Sequence, residues 1–234
     1  YSSPIQIGSG TDWKFLGGSE GQTAQPPAWS SAIKTDGSLW MWGSNHTGML
    51  GLNNAIQYSS PVQLPGTWSK ITNGGYGNQT GAVKTDGTLW TWGYNFYGQL
   101  GHNIGVAWPG PNSNLGTVSS PTQVGGDTTW QNIQAANQAF LATRTDGTLW
   151  SWGNNTSGQL GLNDQALRSS PAQIPGTTWS AVDSGQHNTV ALKTDGSLWT
   201  WGIGQDGSGG QNNTTQYSSP MQVGTDTTWK AISA

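Results

Sequence analysis

The chain has 234 residues, a net charge of −3 and only 8% Asp, Glu, Lys and Arg, against about 25% in ordinary domains. Eight scattered Lys and Arg exclude the clustered cations that track a phosphate backbone, so nucleic acid is not an expected partner. The absence of cysteine excludes disulfides and thiolate metal sites, and no apolar run is long enough for membrane insertion as a helix.

A Ser-Ser-Pro-x-Gln-aliphatic phrase opens the chain at residues 2–7, and a lone tryptophan, Trp13, follows it. Next comes Lys34-Thr35-Asp36-Gly37-Ser38-Leu39-Trp40-Met41-Trp42-Gly43, then Thr47-Gly48-Met49-Leu50-Gly51. The cycle then restarts. Ser-Ser-Pro recurs at 59–64, 119–124, 169–174 and 218–223, and the lone tryptophan recurs as Trp68, Trp130, Trp179 and Trp229. The Asp-Gly phrase recurs at 84–93, 144–153 and 193–202. The Gly-x-Leu-Gly phrase recurs at 97–101 and 157–161, but the fourth copy reads Asp206-Gly207-Ser208-Gly209-Gly210.

A period near 50 residues means one supersecondary unit copied in series, too small to bury its own apolar faces without its neighbours. Asp-Gly between apolar runs predicts a hairpin with a type I′ turn. In the fourth unit this pairs 189–193 with 198–201; the run from Trp179 to about Val182 is a further strand, and the stretch after Pro171 another. Thirteen of the fifteen tryptophans sit at repeat positions and supply the core that a modest aliphatic content cannot. The expected fold class is all-β: a β-propeller of four-stranded blades. Counted from Ser-Ser-Pro, the repeats run 1–57, 58–118, 119–168 and 169–216, with a partial copy at 217–234. Five Ser-Ser-Pro phrases against four hairpins suggest a fragment of a longer ring; the rival expectation is a complete four-bladed propeller with an overlapping end.

The run Asp-Gly-x-Leu-Trp-x-Trp-Gly, then Gly-Gln-Leu-Gly, then Ser-Pro-x-Gln-Val resembles the chromosome-condensation-regulator repeat family of seven-bladed propellers, in a bacterial or phage-type member. The resemblance covers nearly the whole chain and implies a larger, seven-bladed ring. The family's glycine and histidine before the hairpin match fully only at Gly185-Gln186-His187.

Chemistry is thin. His46, His102 and His187 occupy different repeat positions and lack paired ligand spacing. Asp206-Gly207 lacks the alternating ligands of a calcium loop. Glu20, the single glutamate, has no evident partner, and no Gly-x-Ser-x-Gly elbow is present. Catalytic residues, metal and cofactors are therefore not expected, and the chain reads as a non-enzyme. The cations Lys34, Lys84, Arg144 and Lys193 recur beside every hairpin turn and read as a repeated structural or solvated position.

Function is sought in what is not repeated. Residues 17–29 lengthen the first unit, and residues 102–118 lengthen the second to seventeen residues where its neighbours hold seven. The two tryptophans outside the repeat, Trp29 and Trp108, fall one in each insertion. In an up-and-down blade both insertions leave from the end opposite the Asp-Gly turns. Trp29, Pro26, Pro27, Trp108, Pro109 and Pro111, extended by Tyr94, Phe96 and Tyr97, are the candidate recognition face, because proline-stiffened aromatics give contact area at low entropic cost. The alternative is that each tryptophan folds back over its own loop or an adjacent subunit. The leading reading is a surface-exposed recognition or structural module that binds protein or glycan, on a bacterial surface or packed against virion or filament subunits, hence extracellular. The alternatives are a guanine-nucleotide-exchange regulator of a small GTPase, which the resemblance implies, and a secreted enzyme inhibitor.

Overall fold

The computed structural model describes residues 6–18, 28–74, 77–104, 116–185 and 187–233. They form four antiparallel four-stranded sheets and no α-helix among the described residues. Blade 1 holds β1 (Trp13–Gly18), β2 (Trp29–Lys34), β3 (Leu39–Gly43) and β4 (Tyr58–Leu64). Blade 2 holds β5 (Trp68–Gly74), β6 (Gln79–Lys84), β7 (Leu89–Tyr94) and β8 (Thr117–Gln123). Blade 3 holds β9 (Trp130–Ala136), β10 (Ala139–Arg144), β11 (Leu149–Gly153) and β12 (Arg168–Gln173). Blade 4 holds β13 (Trp179–Ser184), β14 (Asn188–Lys193), β15 (Leu198–Gly202) and β16 (Tyr217–Gln222).

Within each blade the strands lie in chain order, so every connection is a simple reversal. The first strands β1, β5, β9 and β13 neighbour one another along the array, and the Ser-Ser-Pro strands lie at the other edge of each sheet. The phrase that opens each sequence repeat therefore closes a sheet. Its strand begins before the proline, at Arg168 for Pro171. An edge strand tolerates a residue with no N–H to give.

The hairpin turn differs from the expected type I′. Only the glycine has positive φ, 84° at Gly37 and 79° at Gly87, while no turn aspartate does. Gly37 N donates to Lys34 O at 3.0 Å, and Lys34 N donates to Ser38 O at 3.0 Å. This is a type I turn closed by a glycine bulge. The aspartate selects it: Asp86 Oδ1 accepts from Thr88 N at 3.0 Å and from the Thr88 hydroxyl at 2.6 Å. Asp146 and Asp195 do the same two residues on, and Asp36 accepts the Ser38 amide.

Those donors hold all four carboxyls below the ordinary range: chiefly the Ser38 amide at Asp36, and chiefly the hydroxyl of Thr88, Thr148 or Ser197 at the others. A depressed folded pKa contributes stability that is present above the ordinary carboxylate value and lost as pH falls through the folded one. The urea midpoint should drop between about pH 5 and pH 2. It should drop less in a variant with all four aspartates changed to asparagine; an unchanged slope would remove the turns from the acid response.

The core lies between blades. Blades 1 and 2 share a cluster that includes Trp29, Met49, Leu50, Trp68 and Trp92. Blades 2 and 3 share Leu100, Trp130, Phe140 and Trp152, and blades 3 and 4 share Leu160, Trp179 and Trp201. The two tryptophans of the Trp-x-Trp pair share one face of their strand, as residues i and i+2 do, and in blades 2, 3 and 4 both pack on the same inter-blade cluster. The second tryptophan locks blades: Trp92 Nε1 donates to Met49 O at 2.8 Å, Trp152 Nε1 to Gln99 O at 2.9 Å, and Trp201 Nε1 to Gln159 O at 2.8 Å. The Gly-x-Leu-Gly loop of one blade thus docks on the third strand of the next. A second latch joins Asn53 N to Ser119 O, Asn103 N to Ser169 O and Asn163 N to Ser218 O, each at 2.7 Å.

The first tryptophan of the pair lies on the same face but nearer the hairpin turn. Its indole meets the lone tryptophan edge-on, at 6.4 Å for Trp13 and Trp40 and 5.9 Å for Trp179 and Trp199. The recurrent cation sits over both rings: Lys84 Nζ at 5.1 and 3.8 Å, the Arg144 guanidinium at 4.4 and 4.1 Å. The expected structural role of Lys34, Lys84, Arg144 and Lys193 takes this form, a cation spanning two ring faces.

Candidate recognition face

Alternating strand direction puts the links between first and second strands and between third and fourth strands at one end of the array. The first insertion joins β1 to β2 and the second joins β7 to β8, so both leave from this end. Pro26, Pro27, Trp108, Pro109 and Pro111 lie outside the described residues, as does Glu20.

Trp29 is a correction. It is 1% exposed and presents no ring to solvent. It opens β2, five residues before Lys34, where the later blades place Gln79, Ala139 and Asn188. Its Nε1 donates to Thr80 Oγ1 of blade 2 at 3.2 Å, and its ring fills the core between the two blades. Counting back from the cation separates it from the insertion it adjoins.

Tyr94, Phe96 and Tyr97 come together at the insertion end. Tyr94 and Phe96 stack with ring centroids 6.0 Å apart and planes 2° apart, and Phe96 meets Tyr97 edge-on at 4.9 Å. All three are half-buried. Blade 1 holds Ser44, His46 and Thr47 at these positions, and blade 3 holds Asn154, Thr156 and Ser157, so the aromatic group belongs to blade 2.

The loop beneath the trio is fixed. Asn95 Oδ1 accepts Leu100 N at 2.9 Å, as Asn45 and Asn155 do for Leu50 and Leu160. Asn95 N donates to Gly116 O, which ties the trio to the returning end of the second insertion. Tyr97 N donates to Gln99 Oε1 at 2.8 Å. Burial, with a smaller contribution from Tyr97, pushes the Tyr94 phenol above its ordinary value. It therefore stays protonated and can donate a hydrogen bond. The arrangement is a rigid aromatic platform with phenolic donors at its margin.

Among the described residues, the remaining once-only groups are engaged separately. Asp183 accepts Gln134 Nε2 at 2.7 Å, and Asp164 pairs with Arg168. His102 contacts Thr91 Oγ1. Among the described residues no group of three or more His, Cys, Asp or Glu could hold a metal, and no helix is long and apolar enough to cross a membrane.

No curated protein sequence matches the chain. Solved structures do. Human WBSCR16 superposes with a TM-score of 0.75 at 20% identity, over 95% of this chain and 55% of that one. Yeast RCC1 (Prp20) bound to Kap60 gives 0.77 at 18% identity, over 95% and 51%. Prp20p from Saccharomyces cerevisiae, in a structure reported with its binding properties to Gsp1p and histones, gives 0.77 at 19% identity, over 95% and 53%. The chain thus spans about half the length of these propellers, and the likeness is one of fold. The sequence model of the regulator of chromosome condensation (RCC1) repeat matches residues 36–78, 86–140 and 146–192. These segments begin at three of the turn aspartates and cover more than half of the chain, which belongs to the RCC1 repeat family.

Proposed function

We propose that the chain is a non-enzymatic protein-recognition module whose binding face is the insertion end of the array. The observation that carries this is the Tyr94, Phe96 and Tyr97 cluster. It replaces the polar residues Ser, His, Thr and Asn of the neighbouring blades, stands on a fixed loop and is only half-buried. Tyrosine and phenylalanine on a rigid base are the anchors that interfaces use, because little side-chain entropy is lost when they bind. The similar yeast propeller was crystallised with the protein Kap60, and another structure of it concerns Gsp1p and histones, which favours a protein over other ligand classes.

The test is selection of a random peptide-display library on the wild-type chain. Selected peptides are then titrated against a variant with Tyr94, Phe96 and Tyr97 all changed to alanine. The expected result is a loss of at least about tenfold, or 1.4 kcal/mol, with an unchanged melting temperature. Peptides that bind both proteins equally would place recognition elsewhere.

A further inference from the structure

Three joints of one design hold the four blades together, and the two halves of a fourth are present but apart. In each joint the trailing half is the Gly-x-Leu-Gly loop of one blade and the asparagine that follows it. The leading half lies on the next blade. It comprises the second tryptophan of Trp-x-Trp, the second-strand residue opposite it, an aliphatic residue of the first strand and a Ser-Ser-Pro serine.

Blade 1 carries a leading half that no described residue covers. Leu16 pairs with Ala32, as Ile71, Ile133 and Val182 pair with Ala82, Ala142 and Ala191. Leu16 is 74% exposed, against 3%, 3% and 6% for the others. Trp42 is half-buried, whereas Trp92, Trp152 and Trp201 are buried. Thr80 and Thr189 give their hydroxyls to Met49 O and Gln159 O of the preceding loop. Ser30 holds their place opposite Trp42, and neither its hydroxyl nor Trp42 Nε1 has a hydrogen bond among the described residues. Ser59 is exposed where Ser119, Ser169 and Ser218 are half-buried beneath an asparagine amide. An apolar recess of about 470 Å³ opens over Trp13, Leu16, Ala32 and Trp42.

Blade 4 carries a trailing half already in its docking shape. Gly207, Gly210 and Asn212 have φ of 79°, 64° and 56°, close to the 75°, 72° and 55° of Gly48, Gly51 and Asn53, which dock on blade 2. A Cβ on Gly48, Gly98 or Gly158 would stand 2.5–2.8 Å from a serine Cα of the next blade, while one on Gly207 meets nothing within 4 Å among the described residues. Leu198 and Val223 are half-buried, whereas Leu89 and Val124 of blade 2 are 0% and 2% exposed. One residue departs: Gly209 replaces Leu50, Leu100 and Leu160, each 0% exposed. A joint made by this loop leaves the recess partly unfilled and is weaker than the three internal ones.

We propose that the chain associates head to tail, the blade 4 loop of one copy docking on the open face of blade 1 of a second copy. A second copy is the occupant because both halves belong to this chain and the same joint forms three times within it. Such a contact is heterologous, so each copy in a pair keeps one free half. Residues 6–9 and 224–231 are exposed and outside any strand. The first give way to β16 of the other copy, and the second to its β1. The joint lies at the ends of the array and does not depend on the aromatic platform.

The experiment is sedimentation velocity on the whole chain from about 1 to 300 µM, a range over which a weak joint forms by mass action. The mean mass of the wild type is expected to rise reversibly above that of the monomer. Leu16→Glu charges the leading half at a position already in solvent, and Gly207→Ala sets a methyl against the docked serine strand. Each should weaken association at least about tenfold, with a native circular dichroism spectrum. Mixing the two variants should restore 1:1 dimers, because one supplies an intact trailing half and the other an intact leading half. Gly209→Leu returns the docking leucine and should tighten association about tenfold. The proposal is overturned if the wild type stays monomeric throughout, if Leu16→Glu leaves association unchanged, or if the mixture of two native variants does not associate.

Discussion

Gly98→Ala should destabilise the protein by about 2–4 kcal/mol, whereas Gly207→Ala, at the same repeat position, should cost only about 1–2 kcal/mol. Both glycines begin the loop that follows the third strand, and both have left-handed φ, 73° and 79°. The strain of a side chain in that region is common to the two. What differs is the neighbour. A Cβ on Gly98 would stand 2.8 Å from Ser169 Cα and 2.9 Å from its Cβ, on the edge strand of blade 3. A Cβ on Gly207 meets nothing within 4 Å among the described residues.

Backbone cannot step aside as a side-chain tip can. Relieving the Gly98 clash must therefore loosen the bond from Asn103 N to Ser169 O and shift the Gln99 carbonyl on which Trp152 depends. Stability in a stacked array is close to a sum of unit and neighbour terms. A weakened contact between blades 2 and 3 should therefore broaden or split the urea transition, whereas Gly207→Ala should move it intact. Equal shifts in the two variants would mean that the loop does not join blades.

What could be read from the sequence follows the range of the interaction concerned. The hairpins and the strand order within a blade rest on residues a few positions apart, and the antiparallel sheets from β1 to β16 follow that reading. The turn type did not follow, because Asp-Gly suits two turns. The choice lies with Ser38, Thr88, Thr148 and Ser197, which give their amides to the aspartate and hold it at negative φ. Trp29 was read as part of an insertion because it adjoins one, although its spacing from Lys34 is that of a second-strand residue.

The cation between two indoles joins residues on three strands, Lys34 with Trp13 and Trp40, so only folding shows the pairing. For the aromatic platform, the single-copy status of Tyr94, Phe96 and Tyr97 was legible, while their stacking required the loop that Asn95 and Gln99 fix.

Two tryptophans separated by a single residue, Trp150 and Trp152, should behave very differently when removed. Trp152 is fully buried, 6.2 Å from Trp130 and 5.8 Å from Phe140, and donates to Gln99 O. Trp152→Ala should cost about 3–5 kcal/mol for the lost ring and its cavity. The Gln99 carbonyl loses its partner as well, which adds about 1 kcal/mol or more. Trp150 is half-buried on the same face of the strand, nearer the hairpin turn, and anchors Arg144 with Trp130. Trp150→Ala gives up a cation–ring contact worth about 0.5–1 kcal/mol and part of its burial, for a total of about 1–2 kcal/mol. Trp152→Phe separates the two losses at the buried site. It keeps most of the ring and removes the N–H, so it should fall between the alanine variants. Urea unfolding followed by far-ultraviolet circular dichroism gives all three values. If Trp150→Ala proved as costly as Trp152→Ala, stability would reside within each blade, and the docking of one blade's loop on the next blade's indole would not be what holds the array together.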